Sequence, residues 1–240
     1  MLPPLPACCG APSDRWPWRE PLPGAQWIAL RFDRSRFADE DFTQSGIDAP
    51  EAIRRAALKR QMQFLAGRLC AREALYRLTG ATHVPAITVS KAPEWPAGLV
   101  GSITHSGDLA AALVAPTSHY RGIGLDAEEQ LGPARAERLA GQILTPRERD
   151  WLVGLPSERR GEFVTLAFSL KESLFKTLFP LVGVRFYFQD AELTDWDSQA
   201  QQATLQLLKP LSEDWPAASR LYGQYARLDR YLLSVLAIPA

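Results

Sequence analysis

The stretch GIGLDAEE, residues 122–129, sets Asp126 and Glu128 two residues apart behind a run of glycines and aliphatics. In a β-strand, side chains at i and i+2 share a face, so these two acids project together while Glu129 points away. Carboxylates held side by side repel one another unless a cation lies between them. The pair therefore reads either as part of a metal site or as a solvated, acidic strand end. A third acid stands in SLKESLFK, residues 169–176, where Leu170 and Leu174 mark the apolar helix face and Glu172 falls opposite them. Lys176 follows Glu172 by four residues, a spacing that by itself gives an ordinary surface pair worth ~0.3–0.5 kcal/mol. If that helix turns Glu172 toward Asp126 and Glu128, three carboxylates form a hard-oxygen site suited to Mg²⁺. Water and a substrate phosphate would complete it, with Lys171 and Lys176 flanking the phosphate.

A second constellation has the opposite polarity. GSITHSGD, residues 101–108, surrounds His105 with small and hydroxyl residues, offering N–H groups, hydroxyls and an imidazole at a hairpin turn, a setting suited to phosphate. A lone histidine at such a turn is more often structural. Arg60, Arg68 and Arg72 form a basic side on a long helix, a pattern that is usually a solvated face, and Lys91 heads a proline-bound loop. His83 and His119 have no comparable company. The chain contains no GxxxxGK[ST], no GxGxxG at a strand-to-helix turn, no HExxH and no GxSxG, so the common nucleotide loops, zinc proteases and serine hydrolases fit poorly.

The elements that must carry these residues can be read from periodicity. Residues 1–26 are rich in proline and tryptophan and read as an irregular or edge-strand arm, since proline cannot donate to a central ladder. WIALRF (27–32) and AITVS (86–90) read as strands, and LVGSITHSGDLAAALVA as a hairpin. Leu58, Met62, Leu65 and Leu69 recur at helical spacing within one long helix expected from about Pro50 to Leu78, with Gly80 past its end. GPARAERLAGQILTPRERDWLVGL predicts two helices meeting at Thr145, a cap, and Pro146, a first helical residue. Phe163, Ala167, Leu170, Leu174 and Leu178 share one face of a further helix that Pro180 is expected to end, and RFYF, TLQLL and RYLLSVLAI look strand-like. Frequent hairpin connections favour an α+β fold over a wound parallel sheet, with halves expected at 1–120 and 121–240.

Of 240 residues, 46% are hydrophobic and 22% charged, the composition of a globule with a real core, and 27 basic residues balance 27 acidic ones. No bulk field advertises nucleic acid or membrane. Three cysteines, Cys8, Cys9 and Cys70, without zinc spacing, read as reduced thiols, and with no signal-peptide pattern or long apolar run the expected compartment is the cytoplasm.

Taken in order, FLAGRLCAREAL, WPAGLVGSITHSGD, GIGLDAEE and FSLKESLFK resemble the motifs of the 4′-phosphopantetheinyl transferases, in particular the larger single-chain type that activates enterobactin and surfactin synthetases. The motifs span residues 64–176; the first 50 and last 60 residues carry little of the match. The resemblance implies a pseudo-twofold pair of α+β halves, each a small, mostly antiparallel sheet on a long helix, with coenzyme A and Mg²⁺ in the cleft between them. It makes Asp126, Glu128 and Glu172 the metal ligands and Lys171 and Lys176 the associated lysines. Thr104 and His105 become the phosphate-binding pair, with Arg60, Arg68 and Lys91 as further coenzyme A contacts. The implied reaction moves 4′-phosphopantetheine from coenzyme A to a serine of an apo acyl or peptidyl carrier protein and releases 3′,5′-ADP. Glu172 or a metal-bound water would be the base; Lys176 and His105 would neutralise the leaving phosphate. Acidic carrier proteins would meet exposed arginines such as those in IRRAALKR or PSERRG, and the protein is expected to be a monomer with neither nucleic-acid nor membrane partners. Two alternatives remain: a Mg²⁺-dependent hydrolase of the coenzyme A pyrophosphate, which could use the same carboxylates, and a non-catalytic module that binds carrier proteins or nucleotides, for which the carboxylates would be dispensable.

Overall fold

The computed structural model describes residues 2–240 as two compact units. The first comprises residues up to 16, residues 22–120 and Ala240. Its strand β1 (Gln26–Arg31) is followed by two short helical turns, α1 (Asp41–Gln44) and α2 (Glu51–Arg54), and then by α3 (Leu58–Thr79). A two-stranded ribbon, β2 (Ala86–Ile87) and β3 (Pro93–Glu94), leads into the hairpin β4 (Leu99–Ser106) and β5 (Leu109–Pro116). The sheet order is β1-β5-β4, antiparallel throughout, and α3 lies across it. Ile28, Leu30, Leu65, Leu69, Ala110, Ala112 and Val114 form its core.

The second unit comprises residues 17–21 and 121–239. Strand β6 (Tyr120–Glu129) precedes helices α4 (Pro133–Ile143), α5 (Pro146–Gly154) and α6 (Ser157–Val182). Strands β7 (Ala191–Asp197), β8 (Gln202–Leu207), β9 (Arg220–Leu228) and β10 (Tyr231–Pro239) complete a five-stranded sheet of order β6-β10-β9-β8-β7. Its meander β7 to β10 is antiparallel, and α6 packs on β10 and β9. Phe163, Ala167, Leu170, Leu174 and Leu178 are all buried, as their shared face requires. The fold class is thus α+β, two antiparallel sheets each carrying one long helix. No helix among the described residues is long and apolar enough to cross a membrane.

Several local expectations change. The helix expected from Pro50 is interrupted at Arg55–Ala57, although none of those residues is a helix breaker; the interruption lets Ile53 reach the core while the Gln61 side chain holds the Ala56 carbonyl at 2.9 Å. Pro180 does not end α6. Only one backbone bond is lost there, and the helix runs on to Val182 before Gly183, at φ 67°, closes it through an N–H to the Phe179 carbonyl. RFYF is not a strand, because the Asp190 carboxylate accepts from the Tyr187 N–H at 2.7 Å and folds Phe188–Asp190 into a 3₁₀ turn. AITVS shrinks to the two residues of β2, whereas β7 and β9, rich in polar outward residues, went unread.

Candidate active site

In the second unit, the glycines of GIGLDAEE exist for the helix that crosses them. Gly122, Gly124, Asp126 and Glu128 occupy one face of β6, and α6 lies against it. A Cβ on Gly122 would sit 2.8 Å from the Thr177 carbonyl oxygen; one on Gly124 would overlap the Ser173 carbonyl oxygen and lie 2.8 Å from its carbon. Two missing side chains let the α6 backbone rest on the strand, and from the same helix the long Lys176 side chain reaches Asp126. The ammonium donates to Asp126 Oδ1 at 2.7 Å and to the Leu125 carbonyl at 2.9 Å, and Asp126 is buried. Glu128 is pushed up to about 8, chiefly by burial and then by the charge of Asp126, with Lys176 opposing and Glu172 adding. Glu172 is raised in the same way, by burial first, with Lys176 opposing and Asp126 adding. Glu172 is therefore not the solvated half of a surface pair: α6 presents it, half-buried, to the acids of β6.

Such mutual repulsion calls for positive charge, and Lys176 supplies one unit of it. Among the described residues no group of three or more His, Cys, Asp or Glu side chains is already arranged to hold a metal ion. The donor chemistry nevertheless suits Mg²⁺, which binds through one or two carboxylates and fills its remaining positions with water and substrate phosphate rather than with an all-protein cage.

Lys171 is placed otherwise than expected: its ammonium is buried against Glu148 Oε2 at 2.6 Å and the Ile143 carbonyl at 2.8 Å, engaged in an ion pair rather than open to solvent. Glu148 also accepts from the N–H groups of Thr145 at 2.7 Å and Leu193 at 2.6 Å. The pair ties α6 to the start of α5 and to β7, beside Glu172 rather than within its chemistry. The expected Thr145 cap is present as a full capping box with Glu148, and the three-residue spacing was the missed signal for Glu148's role. Next to Glu172 opens a cavity of about 200 Å³ walled by Phe175, Phe186, Tyr187, Phe188 and Arg185, which RFYF, taken for a strand, did not suggest.

In the first unit, Gly67 lets α3 press onto β4, where an added Cβ would meet Ile103 Cγ2 at 2.9 Å. His105 follows Ile103 on that face and Arg60 precedes Gly67 by two helical turns, so the two meet: Arg60 Nη1 lies 3.0 Å from His105 Nε2. The guanidinium can only donate, so Nε2 accepts and the ring proton belongs on Nδ1. Arg68 is buried rather than solvated. Its guanidinium is lowered to about 10 by burial and then by Arg60, it stacks 4.8 Å from the Phe64 ring, and its Nε has no hydrogen-bond partner among the described residues. Like charges gathered around a buried, incompletely satisfied guanidinium form a seat for an anion. Arg72, also buried, instead holds the Ser45 and Pro3 carbonyls. His105 lies within β4 rather than at the turn, and Thr104, buried on the opposite face of that strand, does not share its surface. Lys91 stands exposed in the β2–β3 turn at φ 69°, on the ribbon whose Ala86 carbonyl receives Arg68 Nη2 at 3.4 Å. Of the arginines considered for carrier docking, Arg54 and Arg55 are paired with Asp48 and Glu51, and Arg160 with the Leu155 and Val153 carbonyls.

Residues 48–115 match the 4′-phosphopantetheinyl transferase N-terminal domain, and residues 122–235 match the 4′-phosphopantetheinyl transferase superfamily. The chain belongs to the 4′-phosphopantetheinyl transferases. It is 34% identical over 181 residues to the enterobactin synthase component D of Escherichia coli K12, covering 75% of this chain and 82% of that protein. With the 4′-phosphopantetheinyl transferase Svp of Streptomyces mobaraensis it shares 41% identity over 160 residues, 66% of this chain and 63% of the relative's length. The transferase PptT of Mycobacterium tuberculosis is 33% identical over 144 residues, covering 59% of this chain and 61% of that protein.

Proposed function

We infer that this 4′-phosphopantetheinyl transferase moves the phosphopantetheine arm of coenzyme A onto a serine of an apo carrier protein. The observation that carries the reading is the Lys176–Asp126 ion pair between α6 and β6, with burial and the charge of Asp126 raising both Glu128 and Glu172. Asp126, Glu128 and Glu172 would hold Mg²⁺, which when bound supplies charge neutralisation for the pyrophosphate of coenzyme A. The anion seat of Arg60, Arg68 and His105 would hold a phosphate of the nucleotide end. The carrier serine oxygen attacks the phosphorus on the pantetheine side, forming a new P–O bond as the bond to 3′,5′-ADP breaks. Glu172, made more basic by burial, is the group to take the serine proton. Lys176, bound to Asp126, would offset the charge growing on the departing phosphate. The cavity beside Glu172, walled largely by aromatic side chains, would suit the uncharged pantetheine chain.

The test mixes the protein with coenzyme A, Mg²⁺ and an apo carrier protein and weighs the carrier. Gain of one phosphopantetheinyl group with release of 3′,5′-ADP is expected. Cleavage of coenzyme A without labelling would make the protein a hydrolase instead, and neither event would leave a binding module.

A further inference from the structure

The N-terminal arm carries a feature that the transfer chemistry does not use. Cys8 and Cys9 are neighbours whose Sγ atoms lie 3.8 Å apart, both as free thiols. On an extended strand, adjacent side chains point to opposite faces and could not meet. Here the chain turns, with the Cys9 N–H donating to the Pro6 carbonyl at 2.9 Å, and the sulfurs converge. The arm is fastened on both sides of the pair: the Asp33 N–H donates to the Cys8 carbonyl and the Gly10 N–H to the Arg31 carbonyl, each at 2.8 Å, while Cys9 bridges Phe32. Cys8 is buried against the first unit's core and Cys9 is partly open to solvent.

Two fates are open to such a pair, and the geometry separates them. A disulfide normally joins Cα atoms 4.4 Å or more apart, whereas neighbouring residues are held about 3.8 Å apart, so closing an S–S bond here is strained. A single thiophilic centre bound to both sulfurs meets no such strain. With bonds of about 2.3 Å to sulfur and a tetrahedral angle, two thiolates stand about 3.8 Å apart, the separation observed. Among the described residues no third His, Cys, Asp or Glu completes a metal cage around them, which favours a centre that requires two thiolates and brings its other substituent with it.

We propose that Cys8 and Cys9 form a two-thiol binding site for trivalent, monosubstituted arsenicals and similar two-valent thiophiles. Capture begins at Cys9, which is the more accessible member and whose thiol is lowered by a hydrogen bond from Cys8. Cys8 then closes the ring. For an arsine oxide R–As=O the As=O bond and two S–H bonds break, two As–S bonds form, and the oxygen leaves with both protons as one water, with no change of oxidation state.

The test treats the full-length protein with phenylarsine oxide and measures its intact mass before and after a dithiol or a monothiol. One phenylarsenic unit per chain, retained against excess monothiol and removed by dithiol, is expected. Cys9→Ser, at the partly open position, should lose retention completely while keeping its circular dichroism, and Cys70→Ser should retain the adduct. A native protein that fails to hold the arsenical, or a Cys9→Ser variant that holds it as well as the native protein, overturns the proposal. Ready formation of an intramolecular Cys8–Cys9 disulfide with hydroperoxide would likewise contradict the geometric argument. Carrier labelling by the transferase is a separate readout, so neither result bears on the proposed function.

Discussion

Replacing Gly124 with alanine tests whether the strand–helix contact builds the site. The new Cβ would lie 2.8 Å from the Ser173 carbonyl carbon and overlap its oxygen. Carbon atoms rest about 3.5 Å or more apart, so α6 must retreat from β6 by at least about 0.7 Å, and by more to clear the oxygen. The obstacle is helix backbone, which cannot swing aside as a long side chain would. Overpacking of this kind costs roughly 1–3 kcal/mol of stability. The functional loss should exceed that share, because Glu172 and Lys176 ride on the displaced helix. A shift near 1 Å at reacting groups costs about 100-fold in rate. The assay is phosphopantetheinyl transfer to an apo carrier under saturating coenzyme A, run beside urea unfolding to confirm that the variant is folded at the assay temperature. A folded Gly124→Ala protein with the native transfer rate would refute the reasoning, since the acids would then not depend on how closely the helix approaches.

Lys171→Met leaves Glu148 buried without its ion pair, so a loss of about 3–5 kcal/mol in urea unfolding is expected; an unchanged midpoint would return Lys171 to the solvent and the phosphate. His105→Ala should raise the KM for coenzyme A while leaving the KM for the carrier protein nearly unchanged, as followed by carrier mass; the reverse pattern would assign His105 to the carrier surface. Asp126→Asn keeps a hydrogen-bond acceptor for Lys176 but removes the charge, and transfer should fall by about 100-fold or more with the melting temperature little altered. Chelation of divalent cations should stop transfer by the native protein, and an undiminished rate would remove Mg²⁺ from the chemistry.

The acids, the long helices and the hairpin were legible because each declares itself over a few residues: alternation for GIGLDAEE, a 3.6-residue stripe for α3 and α6, two apolar runs around Gly107 and Asp108. Burial of charge was not legible. Arg68, Arg72 and Lys171 sit at spacings that look like solvated helix faces, yet each is enclosed by segments distant in sequence: Ala86 near Arg68, the arm and Ser45 near Arg72, Glu148 near Lys171. Those partners fix what each cation does, and no local pattern names them. Thr104 and His105 illustrate the converse. A motif joins them as neighbours, whereas a strand sends their side chains to opposite faces, so only one of them joins Arg60. The glycines of β6 were visible as residues without a purpose until the helix they accommodate was in place.

Whether Asp126 and Glu172 serve one site can be measured directly with a double-mutant cycle on transfer rate: Asp126→Asn, Glu172→Gln and both together, with one apo carrier and fixed Mg²⁺ and coenzyme A. Groups acting as a unit lose nearly everything at the first substitution, so the double variant should be no more than a few-fold slower than the slower single one. Losses that simply multiply would mean that the two carboxylates act independently.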